Sequence, residues 1–247
     1  MLEKNSHIFS TEDARRIARK RLPRMVFDFI EGAAGREVGV SRNEAAFDNI
    51  MLQPRVMENV SQRSLTASIL DQSFNVPFGV APMGMCNLAC PNADRFLAEM
   101  ANKFDFPVCL SSAASSSIED MAKWAGHRAW FQLYFSSSEE ASMSMVDRAL
   151  KAGFETLVLT VDVPQVSRRV RDLRNGFNLP FSMTPRAFWD FATHPRWSLK
   201  TLTAGAPSPR NFVDKDGNTK FNRSGNRAGA NWDFFQLLRK KWPGKLI

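Results

Sequence analysis

Cysteine, histidine and tyrosine are scarce in this 247-residue sequence, which carries 3, 3 and 1 of them. Cys86, Cys90 and Cys109 are too few and too unevenly spaced for a disulfide framework, and the Cys-x3-Cys pair lacks the second pair of a structural zinc site. The chain is therefore expected to work in reducing surroundings, with no metal. No uncharged apolar run reaches the length of about 18 residues that a membrane-crossing helix needs, and MLEKNSHIFSTEDARRIARKR has no apolar centre of the signal-peptide kind. No finger or RNP motif accompanies the basic residues, so a nucleic-acid partner is not expected. The absence of GxGxxG after the first strand weakens a dinucleotide-binding fold.

What is present is a globular composition, 44% hydrophobic, with a net charge of +8. That charge favours anionic partners such as acidic substrates, phosphorylated cofactors or lipid headgroups. It is diffuse, with one cluster at Arg168, Arg169, Arg171 and Arg174 and another at Arg239, Lys240 and Lys241.

Residues 11–30 carry an apolar stripe of helical period, with Ser10 or Thr11 as the N-cap. Pro23 divides this stretch into two helices, and the glycine of EGAAG ends the second. The rhythm then changes. The run VPFGVAPMG (76–84) reads as a strand and its C-terminal loop, and VCLSSA (108–113), AWFQLYF (129–135) and TLVLTVD (156–162) read as further strands. Between them, residues 93–104, 117–125 and 139–153 read as helices. Apolar runs without alternation, separated by amphipathic helices, indicate a parallel sheet covered on both faces. An open doubly wound sheet and a TIM (β/α)8 barrel both fit. Polar and small residues gather after every strand, as a barrel site requires, and favour the barrel.

From 163 to 230 the rhythm breaks into a long excursion, rich in Pro, Arg, Gly and Asn, before residues 232–238 read as a helix. Its DKDGNTKFNRSGN portion lacks the spacing and terminal Glu of an EF-hand. AFWDFA (187–192) suits either an aromatic mini-core or contact with anionic lipid. A fifth strand is expected from Lys245. Four βα units leave two open edges, so the sequence is expected to be the N-terminal part of one barrel domain, truncated at strand five.

The stretches LPRMVFDFIEGAAG, RNEAAFDNIMLQPRVM, PFGVAPMGM, CLSSAASSSIE, WFQLYF, LTVDVP, RRVRDLRNGF and WPGKLI together resemble the FMN-dependent α-hydroxy acid dehydrogenases and oxidases. That family includes glycolate and lactate oxidases and the membrane-associated L-lactate and mandelate dehydrogenases. The resemblance implies a flavin-linked oxidation of an L-2-hydroxy acid, lactate-like, to a 2-oxo acid. It places the FMN cradle on the backbone of Ala81, Pro82, Met83 and Gly84 and on the side chains of Ser111, Gln132 and Thr160. An amide and hydroxyls suit the alternating donors and acceptors of a flavin's pyrimidine edge. Without the resemblance, Ser and Thr at strand ends read more readily as caps of the next helix.

By the same resemblance Tyr134 is the catalytic tyrosine facing the substrate hydroxyl, and Arg169 holds the substrate carboxylate. Their plain alternatives are a core aromatic and a solvated basic loop. Phe29 stands where relatives place a carboxylate-binding tyrosine, Val170 where they carry an acid, and Ala113 where some oxidases carry tryptophan. None of His7, His127 and His194 matches the family's catalytic histidine, and the lysine that stabilises reduced flavin falls after Ile247. Weak or absent FMN binding and no turnover are therefore expected of this chain alone.

The resemblance further implies a quinone, a cytochrome or oxygen as electron acceptor, homo-oligomers, and a cytoplasmic location peripheral to the inner membrane. Two other classes fit less well: a non-catalytic binding protein, and a flavin-dependent isopentenyl-diphosphate isomerase, against which VRDLRNGF argues.

Overall fold

The computed structural model describes residues 8–136, 138–165, 167–179, 181–212 and 227–247. They cluster in two units, one drawn from Met1–Gln53, Leu88–Pro91 and Ser167–Pro207, the other from Pro54–Asn87, Asn92–Val166 and Ser208–Ile247.

The second unit is built on a five-stranded, wholly parallel sheet in the order β3 (Val80–Met83), β4 (Val108–Ser111), β5 (Ala129–Tyr134), β6 (Thr156–Thr160), β7 (Lys245–Leu246). Helices α4 (Ala93–Phe104), α5 (Ile118–Ala125) and α6 (Glu139–Lys151) connect successive strands, and α10 (Trp232–Lys241) precedes β7. Every residue of β4 is buried, which explains why its sequence reads as an unbroken apolar run. Leu110, Phe131, Leu133 and Leu157 of the sheet form one core with Ala98, Ile118, Met121, Val146 and Leu238 of the helices. Trp242 is fully buried in the same core, its indole N–H donating to the Glu155 carbonyl at 3.3 Å.

The fifth strand begins at Lys245 as the sequence suggests. A Cβ on Gly244 would lie 2.1 Å from the Glu155 carbonyl oxygen, so only glycine lets the chain come close enough for the Lys245 amide to bond that carbonyl at 2.8 Å. Among the described residues, strands β3 and β7 each have a single neighbour. The sheet is thus an unclosed arc of a (β/α)8-type barrel.

Ahead of it lies an antiparallel hairpin, β1 (Ala67–Ile69) and β2 (Gln72–Phe74). Its turn puts Leu70 and Asp71 at φ 54 and 58, the primed geometry that suits a tight hairpin. Leu-Asp lacks the usual Asn-Gly signal, so the sequence does not announce it.

The first unit is helical. In α1 (Thr11–Arg21), Ser10 accepts the Asp13 amide, acids occupy the first turn, and Arg19, Lys20 and Arg21 occupy the last, matching the helix dipole. Pro23 separates α1 from α2 (Arg24–Glu31), which buries Met25, Val26 and Phe27. Helix α3 (Val38–Asp48) follows.

The excursion departs from expectation. Instead of irregular chain it forms α7 (Val170–Asn175), α8 (Pro185–Ala192) and α9 (Pro195–Ala204) before α10. These helices are short, and α8 and α9 each open on a proline, a start signal that the Pro-rich composition disguises. Residues 213–226, including DKDGNTKFNRSGN, lie outside the described residues. AFWDFA serves two environments. Phe191 packs with Phe181 and Trp197 at centroid distances of 5.3 and 5.4 Å, whereas Phe188 and Trp189 are 57% and 69% exposed.

Helix α2 has no side-chain cap of its own, because its N-cap is Pro23. The Asp190 carboxylate of α8 supplies one, with Oδ1 accepting the Arg24 amide at 2.9 Å and Oδ2 the Met25 amide at 3.0 Å. Asp190→Ala is expected to destabilise this unit by about 1 to 2 kcal/mol. The check is chemical denaturation together with hydrogen exchange. The Arg24 and Met25 amides should lose protection first, and unchanged exchange at both would contradict the assignment.

Candidate active site

The carboxyl ends of β4, β5 and β6 carry a continuous hydrogen-bonded run of side chains. Ser111 lies opposite Gln132 in the β4–β5 register, and Thr160 lies opposite Tyr134 in the β5–β6 register. The Ser111 hydroxyl donates to Gln132 Oε1 at 2.9 Å, and Gln132 Nε2 donates to Thr160 Oγ1 at 2.7 Å. Ser111 Oγ in turn accepts the Ala113 amide at 3.1 Å. Ser111 and Gln132 are each only 2% exposed, so these bonds form where water does not compete. The structure therefore brings together the three side chains expected to meet a flavin. The amide keeps one further donor and one further acceptor site, and the Thr160 hydroxyl keeps its hydrogen.

Alongside, Ala81, Pro82, Met83 and Gly84 are exposed at the end of β3. A Cβ on Gly84 would come 3.2 Å from that of Ala113, so glycine permits the β3 and β4 ends to pack closely. The Met85 amide donates to the Ala113 carbonyl at 2.9 Å across the same gap. The turn after β4 is fastened from both sides. Ser112 Oγ donates to the Gln132 carbonyl at 2.7 Å and accepts the Tyr134 amide at 3.0 Å. Asp94, at the start of α4, is buried against Ser115 and Ser116. Burial raises its carboxyl above the usual range, and the hydrogen bonds from those serines offset part of the rise.

Tyr134 is half-buried, and the Arg227 guanidinium lies over its ring at 4.4 Å. Arg227 has no place in the sequence reading. It lies in the Asn- and Arg-rich end of the excursion, where composition gives no sign of a partner.

In the helical unit, Arg169 and Phe29 meet. The Arg169 guanidinium lies 5.1 Å above the Phe29 ring, and that ring stacks on Phe177 at 4.4 Å and 6°. Arg169 Nη2 donates to the carbonyls of Phe29 and Gly32, and Nε donates to Asp172 at 3.0 Å. Val170 leaves no gap in the local charge balance, because Asp172, one turn along α7, serves as the acid. The fork expected to grip a carboxylate is thus largely held by the protein's own oxygens, and among the described residues Nη1 has no hydrogen-bond partner. Beside it, Arg171 pairs with Glu37 and Asp28. The Ala33 amide, ahead of Arg171, holds the Glu37 carboxyl below its ordinary range.

His127 lies exposed in a turn before β5, and His194 caps α9 with Nδ1 2.6 Å from the Asp190 carbonyl. Neither stands at the carboxyl end of a strand, and His7 lies outside the described residues. Among the described residues no group of three or more His, Cys, Asp and Glu could hold a metal ion.

An open arc of parallel strands, with a buried amide and hydroxyls at the carboxyl ends, is the frame of a flavin-dependent (β/α)8-type oxidoreductase. The family model described as FMN-dependent dehydrogenase matches residues 18–247, and the chain belongs to that family. It is 38% identical to (S)-mandelate dehydrogenase of Pseudomonas putida over 98% of its own length and 63% of the relative's. Against a putative L-lactate dehydrogenase of Mycobacterium tuberculosis the figures are 34%, 96% and 58%. The chain thus spans about three fifths of the length of these curated relatives. A crystal structure described as the monotopic membrane protein (S)-mandelate dehydrogenase superposes with a TM-score of 0.91 at 38% identity, over 98% of this chain and 66% of that one.

FMN is the cofactor of this family. The residues present fit it: the spare donor and acceptor of Gln132, the Thr160 hydroxyl and the exposed β3 end offer uncharged polar contacts beside accessible backbone.

Gln132→Leu would strand the buried Ser111 hydroxyl and unlink Thr160. The expected loss is about 1 to 3 kcal/mol in urea denaturation, with Gln132→Glu also destabilised because a carboxylate cannot donate to Thr160. A neutral Gln132→Leu would disprove the role given to this run. The thiols offer a separate check of burial, which pushes Cys86 and Cys109 up to about 12. At mildly alkaline pH an alkylating reagent is expected to label exposed Cys90 alone. Mass mapping of the labelled peptides reads the result, and rapid labelling of Cys109 would contradict the packed β4.

Proposed function

We propose that this chain forms the flavin-facing part of one barrel domain that oxidises L-2-hydroxy acids to 2-oxo acids through FMN, and that by itself it is catalytically silent. The observation carrying the first half is the hydrogen-bonded run from Ser111 through Gln132 to Thr160. FMN, when bound, supplies the two-electron acceptor. Gln132 and Thr160 would hold its ring by hydrogen bonds, and the backbone of Ala81, Pro82, Met83 and Gly84 would complete the cradle.

Arg169 Nη1 takes one oxygen of the substrate carboxylate, while Asp172 and the Phe29 and Gly32 carbonyls keep the guanidinium still. Phe29 has a bare ring in place of a phenol, packed against the Arg169 guanidinium and Phe177, so the carboxylate has one hydrogen bond fewer than in relatives with tyrosine. Tyr134 is the residue that would act at a substrate hydroxyl, and the Arg227 guanidinium over its ring favours negative charge on its oxygen. Ala113 leaves space for a substrate side chain, and the substrate class runs from lactate-like acids to the larger acid named in the mandelate relative.

The silence follows from the placement of the histidines. Removing the α-proton requires a base at the strand ends, and the described histidines are His127 in a turn and His194 at α9.

A membrane role has its own support. Among the described residues no helix is long and apolar enough to cross a membrane. Phe188 and Trp189 of α8 and Leu199 and Leu202 of α9 are nevertheless exposed, and the related crystal structure is described as a monotopic membrane protein. These helices rest on the cytoplasmic face of the inner membrane, where a quinone is the natural electron acceptor.

Titrating FMN into the chain while following flavin fluorescence, then adding L-lactate or (S)-mandelate without oxygen, tests the reading. Weak quenching, weakened further in Gln132→Leu by tenfold or more, and no bleaching of the flavin are expected. Substrate-dependent bleaching would refute the silence. Quenching indifferent to Gln132 would refute the flavin-facing assignment.

A further inference from the structure

The helical unit contains a cavity of about 570 Å³ whose polar wall is formed by Arg15 and Arg19 of α1, Arg24 and Asp28 of α2, Arg171 of α7 and His194. Its charges do not cancel. Arg15 pairs with Glu31 at 2.5 Å, Arg24 reaches Asp28 only at 3.4 Å, and Arg171 is shared between Glu37 and Asp28. The Arg19 guanidinium has no hydrogen bond or ion pair among the described residues. Asp28 is the single carboxylate on the wall, and it also accepts from Asn175 Nδ2 at 2.6 Å. A concave surface with an uncompensated guanidinium attracts an anion, and guanidinium forks match phosphate oxygens closely. The volume exceeds that of a bare phosphate ion and suits a phosphate ester.

His194 connects this wall to α8 and α9, whose exposed Phe188, Trp189, Leu199 and Leu202 are the side chains assigned above to lipid. Apolar groups for the acyl layer and cationic groups for the phosphate layer therefore belong to one compact unit. We propose that this cavity holds the phosphate ester of an anionic phospholipid headgroup, with Arg19 as its principal ligand. The assignment rests on the membrane contact proposed above and adds to it a lipid preference and a residue that reads it.

The test is sedimentation of the 247-residue chain with vesicles of phosphatidylcholine alone or mixed with phosphatidylglycerol. Arg19→Gln, which breaks no contact among the described residues, is expected to weaken binding to the mixed vesicles about fivefold and to leave phosphatidylcholine binding unchanged. Lys20→Gln, its neighbour in α1 but outside the cavity, controls for diffuse attraction and should weaken binding less than twofold. Equal losses in the two variants would overturn the proposal in favour of a general surface field.

Calorimetry with glycerol phosphate separates the sources of the anion. Tight binding that Arg19→Gln abolishes, without any preference for phosphatidylglycerol, would make the ligand a soluble phosphate ester and overturn the lipid assignment. Phe188→Ser with Trp189→Ser is expected to release the chain from both vesicle types. If the unmodified chain binds no vesicle, the membrane contact itself fails. If it binds and Arg19→Gln has no effect, only the cavity assignment fails.

Discussion

A glutamine buried in the middle strand of a parallel sheet has to find partners for both ends of its amide. Left unpaired, each end would cost about 1 to 3 kcal/mol. At position 132 the oxygen is met by Ser111 on one side and the nitrogen by Thr160 on the other. This works only if β4, β5 and β6 run parallel in one register, because a slip by one residue would turn either hydroxyl to the opposite face. The demand that fixes the sheet also lines up the polar groups proposed to face a flavin. Under that proposal stability and cofactor recognition use the same bonds, and the side chains are held in place before any ligand arrives.

The helical unit uses the opposite economy, with backbone oxygens doing what acidic side chains do elsewhere. Arg169 is steadied by two carbonyls and by Asp172, and Asp190 caps α2, the helix whose end supplies the Phe29 ring and carbonyl. Arg169 therefore depends on α8 through a chain of short, directional contacts: Asp190 sets α2, and α2 sets Phe29. The residues flanking Asp190 in α8 are the exposed Phe188 and Trp189, so the segment assigned to lipid is also the one that anchors the arginine's platform.

The strand and helix rhythm between 76 and 162 is plain in the sequence, because buried parallel strands leave unbroken apolar runs and their helices leave amphipathic ones. The ladder is shorter than those runs: within 76–84 it holds Val80–Met83, after the Pro77 and Gly79 lead-in, and 156–162 contracts to Thr156–Thr160, with Val161 and Asp162 left past its end. Helices α7, α8 and α9 escaped notice, being short, opened by proline, and stabilised by distant aromatic contacts that local periodicity does not record. The β1–β2 hairpin escaped for a different reason, since its Leu-Asp turn is held by the chain around it and not by local preference.

By itself, then, the sequence determined the parallel architecture, the start of β7 at Lys245, and which polar residues stand at strand ends, because each leaves a local trace in pattern or motif. Only the tertiary structure decided how those residues are engaged. Gln132 is shared between two hydroxyls, Arg227 covers Tyr134, the fork of Arg169 is largely taken up by the protein's own oxygens, and Asp190 caps a helix 166 residues away in the chain. Those facts are distances between groups far apart in sequence. Hydrogen bonds and ion pairs act over a few ångströms of space, so no local pattern encodes them until the chain has folded.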